Sequence, residues 1–461
     1  MSTVIFSFRG DDLVVYDETV LNLLPPEWKE QAILDARLHA VRLPPRLFPE
    51  IRDFLEKQGR EVETRFSTDF SLSGNIQMNF EPRSYQQEAL QKWFLAGNRG
   101  VVVAPTASGK SFIGAMAINL TQVKTLILVP TLNLLEQWEQ FLRQHLLIEQ
   151  ISEFIGQFGG GRKEIRDITI ITYDSAHLYV RKLRDHFGLL IADECHHLVA
   201  ASYRLIADGS IAPFRLGLTA TPERADELHH DLSFLIGSEI VRITPQELEE
   251  KGYIAPFKVE RVPVFLDTEE KRQYEKARNI YQKYLATRNI RFRSIKDFEQ
   301  KLVFWSGKDP SAREALLAHH EARKIAFNAR RKIEKVGELL TQHKATQILI
   351  FSEFTRITEE IGREFLIPVI THRTKLVERK EILKKFATGE ISKLCTGRVL
   401  DEGLDVAGAS VGIVVSGSAQ ARQAIQRLGR LLRPKEGKEA ILYEIISEST
   451  MEEAVSQRRG I

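Results

Sequence analysis

RGVVVAPTASGKS, residues 99–111, is the stretch that decides the fold of this chain. Its apolar first half is typical of a buried strand, and the apolar residues after Ser111 predict a helix. A loop of small residues between a strand and a helix lets successive backbone N–H groups bind phosphate oxygens, assisted by the positive end of the helix. The stretch therefore predicts a phosphate-binding loop made of Pro105, Thr106, Ala107, Ser108, Gly109, Lys110 and Ser111.

Lys110 and Ser111 give this loop its chemistry. Lys110 supplies a point charge for the β- and γ-phosphates of a nucleotide, and the hydroxyl of Ser111 suits ligation of Mg²⁺. The usual first glycine is Ala104 here, so the pattern fails at one position. A Gly-Lys-Ser triplet can also arise by coincidence, and its place between a strand and a helix argues against that. The loop alone predicts a nucleoside triphosphatase.

Similar apolar runs recur on both sides of the loop and alternate with helical stretches. This alternation is typical of a parallel sheet covered on both faces, and ligands bind at the carboxyl ends of such strands. A second series begins near Phe257, so we predict an α/β chain with two tandem parallel-sheet domains. The first series is RGVVVAP, KTLILVP, DITIITY, GLLIADE and RLGLTAT, and the second includes TQILIFSEF, LIPVITH, ISKLCTG, SVGIVVSG and EAILYEII.

The domain boundaries follow from these changes of texture. Residues 1–75 form a small α+β N-terminal module, in which VIFSF and DLVVYD resemble strands while WKEQAILDARLHAV and LFPEIRDFLEKQG resemble helices. Residues 76–250 form the first sheet domain and residues 251–461 the second. Residues 268–335, which we call the basic insertion, are predicted to be helical.

An acidic pair, Asp193 and Glu194, ends the apolar strand GLLIADE. Asp193 at the strand tip fits a Mg²⁺ ligand, and Glu194 fits the base that polarises an attacking water. Ordinary surface polarity would also place acids here, but adjacent carboxylates after an apolar strand favour a site that holds a cation. Cys195 is expected only to pack. His196 and His197 lack the HExxH spacing of a zinc site.

Two further elements suggest coupling between nucleotide and chain movement. The hydroxyls of Thr219 and Thr221 end the strand RLGLTAT and could bond His196 or Asp193; the alternative is a capped strand end. Arg430 and Arg433 are three residues apart, so on a helix they share a face. Arginines that arrive from another domain stabilise transition-state charge, although a basic surface helix is the plainer interpretation.

The basic insertion has a different charge from the rest of the chain. It holds 18 Lys and Arg against 9 Asp and Glu, whereas the whole chain is at +3. One interpretation is a solvated helical segment whose aromatic residues form a small core. The other is a basic arm on a phosphate backbone, through residues such as Arg288, Arg291 and Arg293.

Composition bounds the remaining possibilities. Two cysteines, Cys195 and Cys395, give neither a metal cluster nor a disulfide framework, which favours a reducing compartment. The N-terminus lacks the features of a signal peptide, and no apolar run reaches the ~20 residues that span a bilayer. We expect a cytoplasmic protein, or a nuclear one in a eukaryote, that does not use a membrane.

With these residues in place, the chain resembles the superfamily 2 helicases. Nine sequence blocks stand in the family's order between residues 83 and 433: RSYQ, APTASGKS, LILVPTLNLLEQW, ITYDS, DECHH, LTATP, ILIFSEF, CTGRVLDEGLDVAG and QRLGRLLRP. The resemblance implies two RecA-like domains, ATP with Mg²⁺, and hydrolysis by Lys110, Ser111, Asp193 and Glu194, with Arg430 and Arg433 as arginine fingers. It further implies nucleotide contacts from Arg83, Gln86, Gly403, Asp405 and Gln426, and nucleic-acid phosphate contacts from Thr131, Thr172 and Ser352.

Within that superfamily the chain most resembles the XPB group of repair and transcription helicases. The supporting features are the N-terminal module, the tract Glu223–Asp226 after LTATP, and the basic insertion, which is similar to that group's thumb. The resemblance implies 3′–5′ translocation on DNA in nucleotide excision repair with a nuclease or another partner protein. The group's Arg-Glu-Asp unwinding element is Arg224-Ala225-Asp226 here. The missing central carboxylate bears on strand opening and leaves the expected ATP hydrolysis and translocation untouched.

Other functions remain open at the level of sequence. One is an RNA helicase or the motor subunit of a restriction complex. Another is an ATP-gated DNA-binding scaffold that recruits a nuclease without unwinding DNA itself, which the alanine at position 225 would suit.

Overall fold

The computed structural model describes residues 3–105, 108–148, 151–220, 228–251, 253, 257–292, 298–397, 409–416 and 440–453. The chain forms two compact units, Met1–Thr244 and Pro245–Ile461. Each unit contains its own parallel sheet with helices on both faces.

The first unit is built on an eight-stranded sheet. All neighbouring strands run parallel except the edge pair Ile155–Gly159 and Arg162–Lys163. Five strands occupy the five predicted runs, while the two edge-pair strands and Glu239–Arg242 had no sequence prediction. The strand order is Arg162–Lys163, Ile155–Gly159, Ile168–Thr172, Thr125–Val129, Leu189–Asp193, Phe214–Thr219, Arg99–Val103 and Glu239–Arg242.

Helices cover both faces of this sheet, and apolar residues between the layers form the core. The strand pair Gln77–Met78 and Leu146–Leu147 forms a separate small ribbon. The α-helices of this unit are Val20–Leu23, Pro26–Lys29, Phe48–Lys57, Ser84–Leu95, Lys110–Thr121, Leu132–His145, Ile151–Phe154, Tyr173–Leu178, Val180–Leu183, Ala201–Asp208 and Leu232–Leu235, and the 3₁₀ turns are Pro45–Leu47, Cys195–His197 and Leu228–Asp231.

The N-terminal module is a five-stranded sheet packed on the helix Phe48–Lys57. The two predicted strands and this helix are present, but the helix predicted over residues 28–41 is wrong. Only Pro26–Lys29 is helical there, and two short strands follow. The second of them pairs with Asp12–Val15, so sheet pairing overrides local helix propensity. The strand order is Ile33–Asp35, Ala40–Leu43, Asp12–Val15, Val4–Arg9 and Val62–Thr64.

The module packs directly on the first sheet domain. Ile211 of the sheet domain is fully buried within the module's apolar core. Arg46 Nε lies 2.7 Å from Asp208 Oδ1, and Arg181 forms a two-pronged ion pair with Asp11. The module and the sheet therefore share an apolar and ionic contact within one compact unit.

The second unit is built on a six-stranded, wholly parallel sheet that occupies all of the predicted runs. Apolar residues of its central strands pack against helices on both faces. The strand order is Phe257–Val264, Ala440–Ser447, Val411–Ser416, Ile348–Ser352, Lys393–Thr396 and Val369–Ile370. The helices are Pro245–Glu250, Thr268–Thr287, Phe304–Ser306, Pro310–Phe327, Arg330–Gln342, Thr355–Glu364 and Leu376–Ala387, with a π-helical turn at Glu299–Val303.

The basic insertion is helical, as its sequence predicts. Its long helices Thr268–Thr287 and Pro310–Phe327 pack side by side. Most of its aromatic side chains form small cores between the helices, whereas Phe304 is 59% exposed. The first sequence interpretation therefore holds for the aromatic residues and leaves the surface charge to be explained.

A buried ion pair ties the insertion to the second sheet. Lys332 Nζ lies 2.7 Å from Glu452 Oε2, and neither side chain is more than 1% exposed. Lys332 also donates to the carbonyl oxygens of Val415 and Ile445 at 2.7 and 3.2 Å. In the described parts of the chain, no helix is long and apolar enough to cross a membrane.

Candidate functional site

The phosphate loop lies between the strand Arg99–Val103 and the helix Lys110–Thr121. Gly109 caps the helix with φ 75° and ψ 42°, a left-handed conformation that favours glycine. A Cβ atom at this position would stand 2.7 Å from Gln86 Nε2, so space also demands glycine. The helix therefore starts at Lys110, two residues before the start that the sequence predicts. Within the loop, Thr106 and Ala107 lie outside the described residues, between Pro105 and Ser108.

Two side chains from the helix Ser84–Leu95 form hydrogen bonds with the backbone of the phosphate loop. The Tyr85 hydroxyl donates to the Ser108 carbonyl oxygen, and Gln86 Nε2 donates to the same oxygen at 3.3 Å. Gln86 Oε1 accepts the backbone N–H of Arg83 at 2.9 Å. Gln86 is thus fixed between the chain at Arg83 and the loop, which places both predicted nucleotide contacts beside the loop.

The predicted catalytic groups Lys110, Asp193 and Glu194 come together. Lys110 is 8% exposed, and its Nζ lies 3.9 Å from Glu194 Oε1 and 3.2 Å from the Ala104 carbonyl oxygen. Glu194 has φ 49° and ψ 52°, a left-handed conformation rare for residues other than glycine. Such backbone strain is concentrated at functional sites, where surrounding structure holds it in place.

Asp193 has an unusually high pKa for a carboxylate. It is 7% exposed, and its pKa is raised from 3.8 to about 6, first by burial and then by the neighbouring charge of Glu194. Lys110 and the indole N–H of Trp138 oppose this shift. A buried and a half-buried carboxylate beside one lysine leave excess negative charge, which fits a divalent cation.

Trp138 and Tyr173 contact Asp193, and sequence reasoning assigned neither a role. Trp138 Nε1 donates to Asp193 Oδ2 at 2.8 Å, and the Tyr173 hydroxyl donates to the Asp193 carbonyl oxygen at 2.9 Å. Both side chains are buried. Their blocks, LNLLEQW and ITYDS, were recognised in the sequence, but the contacts depend on strand order.

The predicted coupling residues His196 and Thr219 also meet. His196 Nδ1 lies 3.1 Å from Thr219 Oγ1, and Thr219 Oγ1 lies 3.4 Å from Glu194 Oε2. The Ala104 backbone N–H donates to the Thr219 carbonyl oxygen at 2.9 Å, which joins this strand end to the phosphate loop. Thr221 lies outside the described residues.

Thr131 and Thr172, predicted to contact nucleic acid, each cap a helix. The Thr131 hydroxyl accepts the Leu134 N–H, and the Thr172 hydroxyl accepts the Ser175 N–H, both at 3.3 Å. The helices they begin, Leu132–His145 and Tyr173–Leu178, start where two neighbouring parallel strands end. The two threonines thus lie on the same edge of the sheet as Asp193.

Ser352, predicted to contact a nucleic-acid phosphate, lies at the end of a central strand of the second sheet. Its side chain is fully buried, and its hydroxyl lies 2.7 Å from the hydroxyl of Ser416 on the neighbouring strand. The hydroxyl also accepts the Phe354 N–H at 3.1 Å. In this conformation the Ser352 hydroxyl bonds within the strand end, and the phosphate contact that the resemblance implies stays a prediction.

The remaining predicted residues fall into two groups. Arg288 pairs with Asp309 at 2.8 Å across the basic insertion, and Arg291 is exposed nearby. The others lie outside the described residues: Arg224, Asp226, Arg293, Gly403, Asp405, Gln426, Arg430 and Arg433.

No cluster of three or more His, Cys, Asp or Glu side chains suited to metal binding occurs in the described residues. Cys195 is buried in the core, and burial raises the pKa of its thiol, so it packs as expected.

A glycine-capped phosphate loop beside a buried acidic pair, on the first of two parallel-sheet domains, defines an ATP-dependent motor of the superfamily 2 helicase class. The fold alone is supported by a solved structure, the Pyrococcus furiosus Hef helicase domain. The two chains align with a TM-score of 0.55 and 19% identity, over 82% of this chain and 98% of that one.

Sequence comparison identifies the family. Residues 79–224 match the family described as Type III restriction enzyme, res subunit, and residues 313–461 match the ERCC3/RAD25/XPB C-terminal helicase family. DNA 3′-5′ translocase XPB2 of Sulfurisphaera tokodaii is 41% identical over 88% of this chain and 90% of that protein. DNA 3′-5′ helicase XPB of Mycobacterium tuberculosis is 31% identical over 98% of this chain and 77% of that protein. The chain belongs to the XPB family of DNA 3′-5′ helicases and translocases.

Proposed function

We propose that the chain is an ATP-driven motor that translocates along double-stranded DNA with 3′–5′ polarity and serves DNA repair, nucleotide excision repair in particular. The observation that carries the proposal is the buried group of Lys110, Asp193 and Glu194 at the end of a glycine-capped phosphate loop. The relatives named as 3′-5′ translocases and helicases supply the track and its polarity.

The donor set fits Mg²⁺ bound together with ATP. Asp193 and the hydroxyl of Ser111 would hold the ion, which would neutralise charge on the β- and γ-phosphates. Lys110 would bind the same phosphates from the loop. Glu194 would accept a proton from the attacking water, and its bent backbone turns it toward Lys110.

Residues outside the described part complete the proposal. Arg430 and Arg433 would act as arginine fingers on the γ-phosphate, and Gly403, Asp405 and Gln426 would contact nucleotide or strand. His196 and Thr219 would report the nucleotide state to the chain after residue 220, because they connect Glu194 to that strand end.

The first experiment measures ATPase stimulation by single-stranded, duplex, forked and bubble DNA, with RNA as the control. We expect duplex-containing DNA to stimulate turnover and RNA to have no effect. Lys110→Ala should abolish turnover without unfolding the protein, whereas Lys92→Ala, a change at an exposed lysine of the same unit, should be silent. Stimulation by RNA alone would favour an RNA helicase and reject DNA as the track.

The basic insertion is proposed to hold the phosphate backbone of DNA. Basic side chains of the insertion lie on its surface, outside the aromatic core, and Arg291 and Arg313 are two that are exposed. Arg291→Gln with Arg313→Gln should weaken DNA binding and reduce the slope of log K against log salt by about 2, since each phosphate contact contributes about 0.9. Basal hydrolysis should change much less.

The matched control removes two positive charges from the same unit outside the insertion. Arg363→Gln with Lys384→Gln changes exposed bases on the helices Thr355–Glu364 and Leu376–Ala387. A control that lowers the salt slope as much as the insertion variant would show that net charge, and not the insertion, determines binding.

A scaffold that recruits a nuclease remains the second candidate function, because Ala225 replaces the family's unwinding carboxylate. A strand-displacement assay on forked DNA, with and without a partner nuclease, separates the two. A motor that translocates but does not separate strands should gain unwinding with Ala225→Glu. Unwinding by the wild-type chain alone would reject the scaffold.

A further inference from the structure

Asp193 receives hydrogen bonds from two aromatic residues that belong to two different helices. Trp138 Nε1 donates to its side-chain Oδ2 at 2.8 Å, and Tyr173 Oη donates to its backbone carbonyl oxygen at 2.9 Å. The other carboxylate oxygen, Oδ1, accepts the Glu194 backbone N–H at 3.0 Å. The position of the carboxylate therefore depends on these two helices as well as on its own strand.

The same two helices begin at the two threonines that were predicted to contact nucleic-acid phosphates. Thr131 caps Leu132–His145, which carries Trp138, and Thr172 caps Tyr173–Leu178, which starts with Tyr173. Trp138 lies seven residues after Thr131, about 10 Å along the helix at a rise of 1.5 Å per residue. Both helices thus begin at the candidate nucleic-acid edge, and each carries a side chain that bonds to Asp193.

We propose that Trp138 and Tyr173 are positioning residues that transmit nucleic-acid binding at Thr131 and Thr172 to Asp193. The proposal rests on the proposed function and names the structural route by which DNA stimulates hydrolysis. Neither aromatic side chain needs to touch the nucleotide. Each changes the rate by moving or holding the carboxylate that would bind Mg²⁺.

The packing around Trp138 is close enough to transmit a small movement. A Cβ atom on Gly114 would stand 2.7 Å from the Trp138 ring, so the indole lies directly against the backbone of the helix that begins at Lys110. Trp138 is 2% exposed, and close-packed interiors transmit displacement because they have few voids. A shift of Leu132–His145 must therefore move the indole relative to Asp193 or to the phosphate-loop helix.

Strand order explains why these helices converge. The strand ends that carry Thr172, Thr131 and Asp193 belong to three adjacent parallel strands. Adjacent strands are about 4.8 Å apart, so all three positions lie within about 10 Å across the edge. DNA on the two threonines would stand next to the carboxylate without touching it.

The experiment compares Trp138→Phe and Tyr173→Phe with the wild-type chain. Each substitution keeps an aromatic ring and removes the hydrogen-bond donor to Asp193. The assays are ATP turnover without DNA and at saturating duplex DNA, equilibrium binding of a fluorescent nucleotide with and without DNA, and DNA affinity. Thermal unfolding establishes that each variant is folded.

The controls are matched for chemistry and place. Trp93 is fully buried in the same unit, and its indole N–H donates to the Arg215 carbonyl oxygen at 2.9 Å. This bond does not involve Asp193. Trp93→Phe therefore removes the same volume and an indole hydrogen bond of the same length range, here to a neutral carbonyl oxygen. Tyr203→Phe removes a hydroxyl that donates to Asp174, beside the Tyr173 ring.

We expect the ratio of DNA-stimulated to basal turnover to fall about tenfold in Trp138→Phe. This factor corresponds to the free energy of one hydrogen bond to a charged group, taken at the low end of its range. The ratio should fall less in Tyr173→Phe, whose acceptor is a neutral carbonyl oxygen. DNA affinity should be retained, and the factor by which DNA changes nucleotide affinity should approach one. The controls should keep the wild-type ratio.

Three results would overturn the inference. Basal and stimulated rates could fall by the same factor, which would make Trp138 a support for Asp193 without coupling. The ratio could stay unchanged in both variants. The Trp93 control could lose the ratio equally, which would make the effect one of general stability. If wild-type turnover shows no stimulation by any DNA, the proposed function fails first, and that result is distinct from all three.

A double variant tests the route itself. Thr131→Val removes the capping hydroxyl and should lower DNA stimulation in the wild-type background. In the Trp138→Phe background the same change should lower it no further, because two changes on one route are not additive. Full additivity would show that Thr131 acts independently of Trp138 and would reject the linkage.

Discussion

Asp193→Asn should stabilise the first unit at neutral pH while it abolishes ATP turnover. The folded chain raises the pKa of Asp193 from 3.8 to about 6, mainly by burial and then by the charge of Glu194. Below about pH 4 the group is protonated in both folded and unfolded chains, so ionisation costs nothing. As pH rises through 6, the folded chain must carry a buried charge that the unfolded chain exposes to water, and stability is lost.

The size of the effect follows from the two pKa values. A difference of about two between them corresponds to about 3 kcal/mol at pH 7 and above. For a unit of this size, that free energy is worth about 6–12 °C in Tm. An asparagine keeps an oxygen that can accept the Trp138 N–H bond but carries no charge, so its advantage should appear only as pH rises.

The assay is thermal and denaturant unfolding from pH 4 to pH 8 in the presence of a chelator, so that no cation offsets the charge. The gain of Asp193→Asn over wild type should grow between pH 4 and pH 6 and then level off. Asp69→Asn is the control: a backbone hydrogen bond from Ser71 lowers the pKa of Asp69, so its loss should destabilise the protein at neutral pH. A gain for Asp193→Asn that does not vary with pH would refute the electrostatic argument.

Three further substitutions test the local arguments. Gly109→Ala should raise the KM for ATP strongly with little loss of Tm, because the new Cβ would meet Gln86 Nε2 in a left-handed turn; an unchanged KM would contradict this. Lys332→Met should destabilise the second unit by about 3–5 kcal/mol in denaturant unfolding, because Glu452 would remain buried without its cation. Combining it with Glu452→Gln should recover part of that loss, and no recovery would count against the ion pair. Ile211→Ala should cost about 2–5 kcal/mol and expose the N-terminal module to limited proteolysis, whereas wild-type protection would show that the contact does not hold the module.

The two sheets could be predicted from sequence because their strands are short, apolar and bounded by polar residues at the ligand edge. The phosphate loop and the acidic pair are local patterns, so their positions follow once the strands are known. The helix predicted over residues 28–41 failed for the opposite reason. Its later residues form the strands Ile33–Asp35 and Ala40–Leu43, and the second of these pairs with Asp12–Val15. Such sheet pairing outweighs local helix propensity.

The contacts of Trp138 and Ser352 show where sequence reasoning ends. Trp138 is 55 residues from Asp193, and its indole reaches the carboxylate at 2.8 Å because the strand before its helix is adjacent to the strand of Asp193. Ser352 stands in a block whose resemblance implies a phosphate contact, yet the neighbouring strand covers it with Ser416. Strand order and burial are long-range outcomes of packing, and no local pattern contains them.

The position of Asp193 in the first sheet suits a residue that responds to both nucleotide and nucleic acid, as proposed. Its strand has the strand of Thr131 on one side and the strand of Thr219 on the other. The strand that leads to the phosphate loop comes next after Thr219. Because the carboxyl ends of parallel strands share one edge, nucleotide and nucleic acid would lie to either side of this residue. On the proposed route, a carboxylate held by hydrogen bonds from the nucleic-acid side, and by charge from the nucleotide side, would couple the two ligands without a rearrangement of the whole domain.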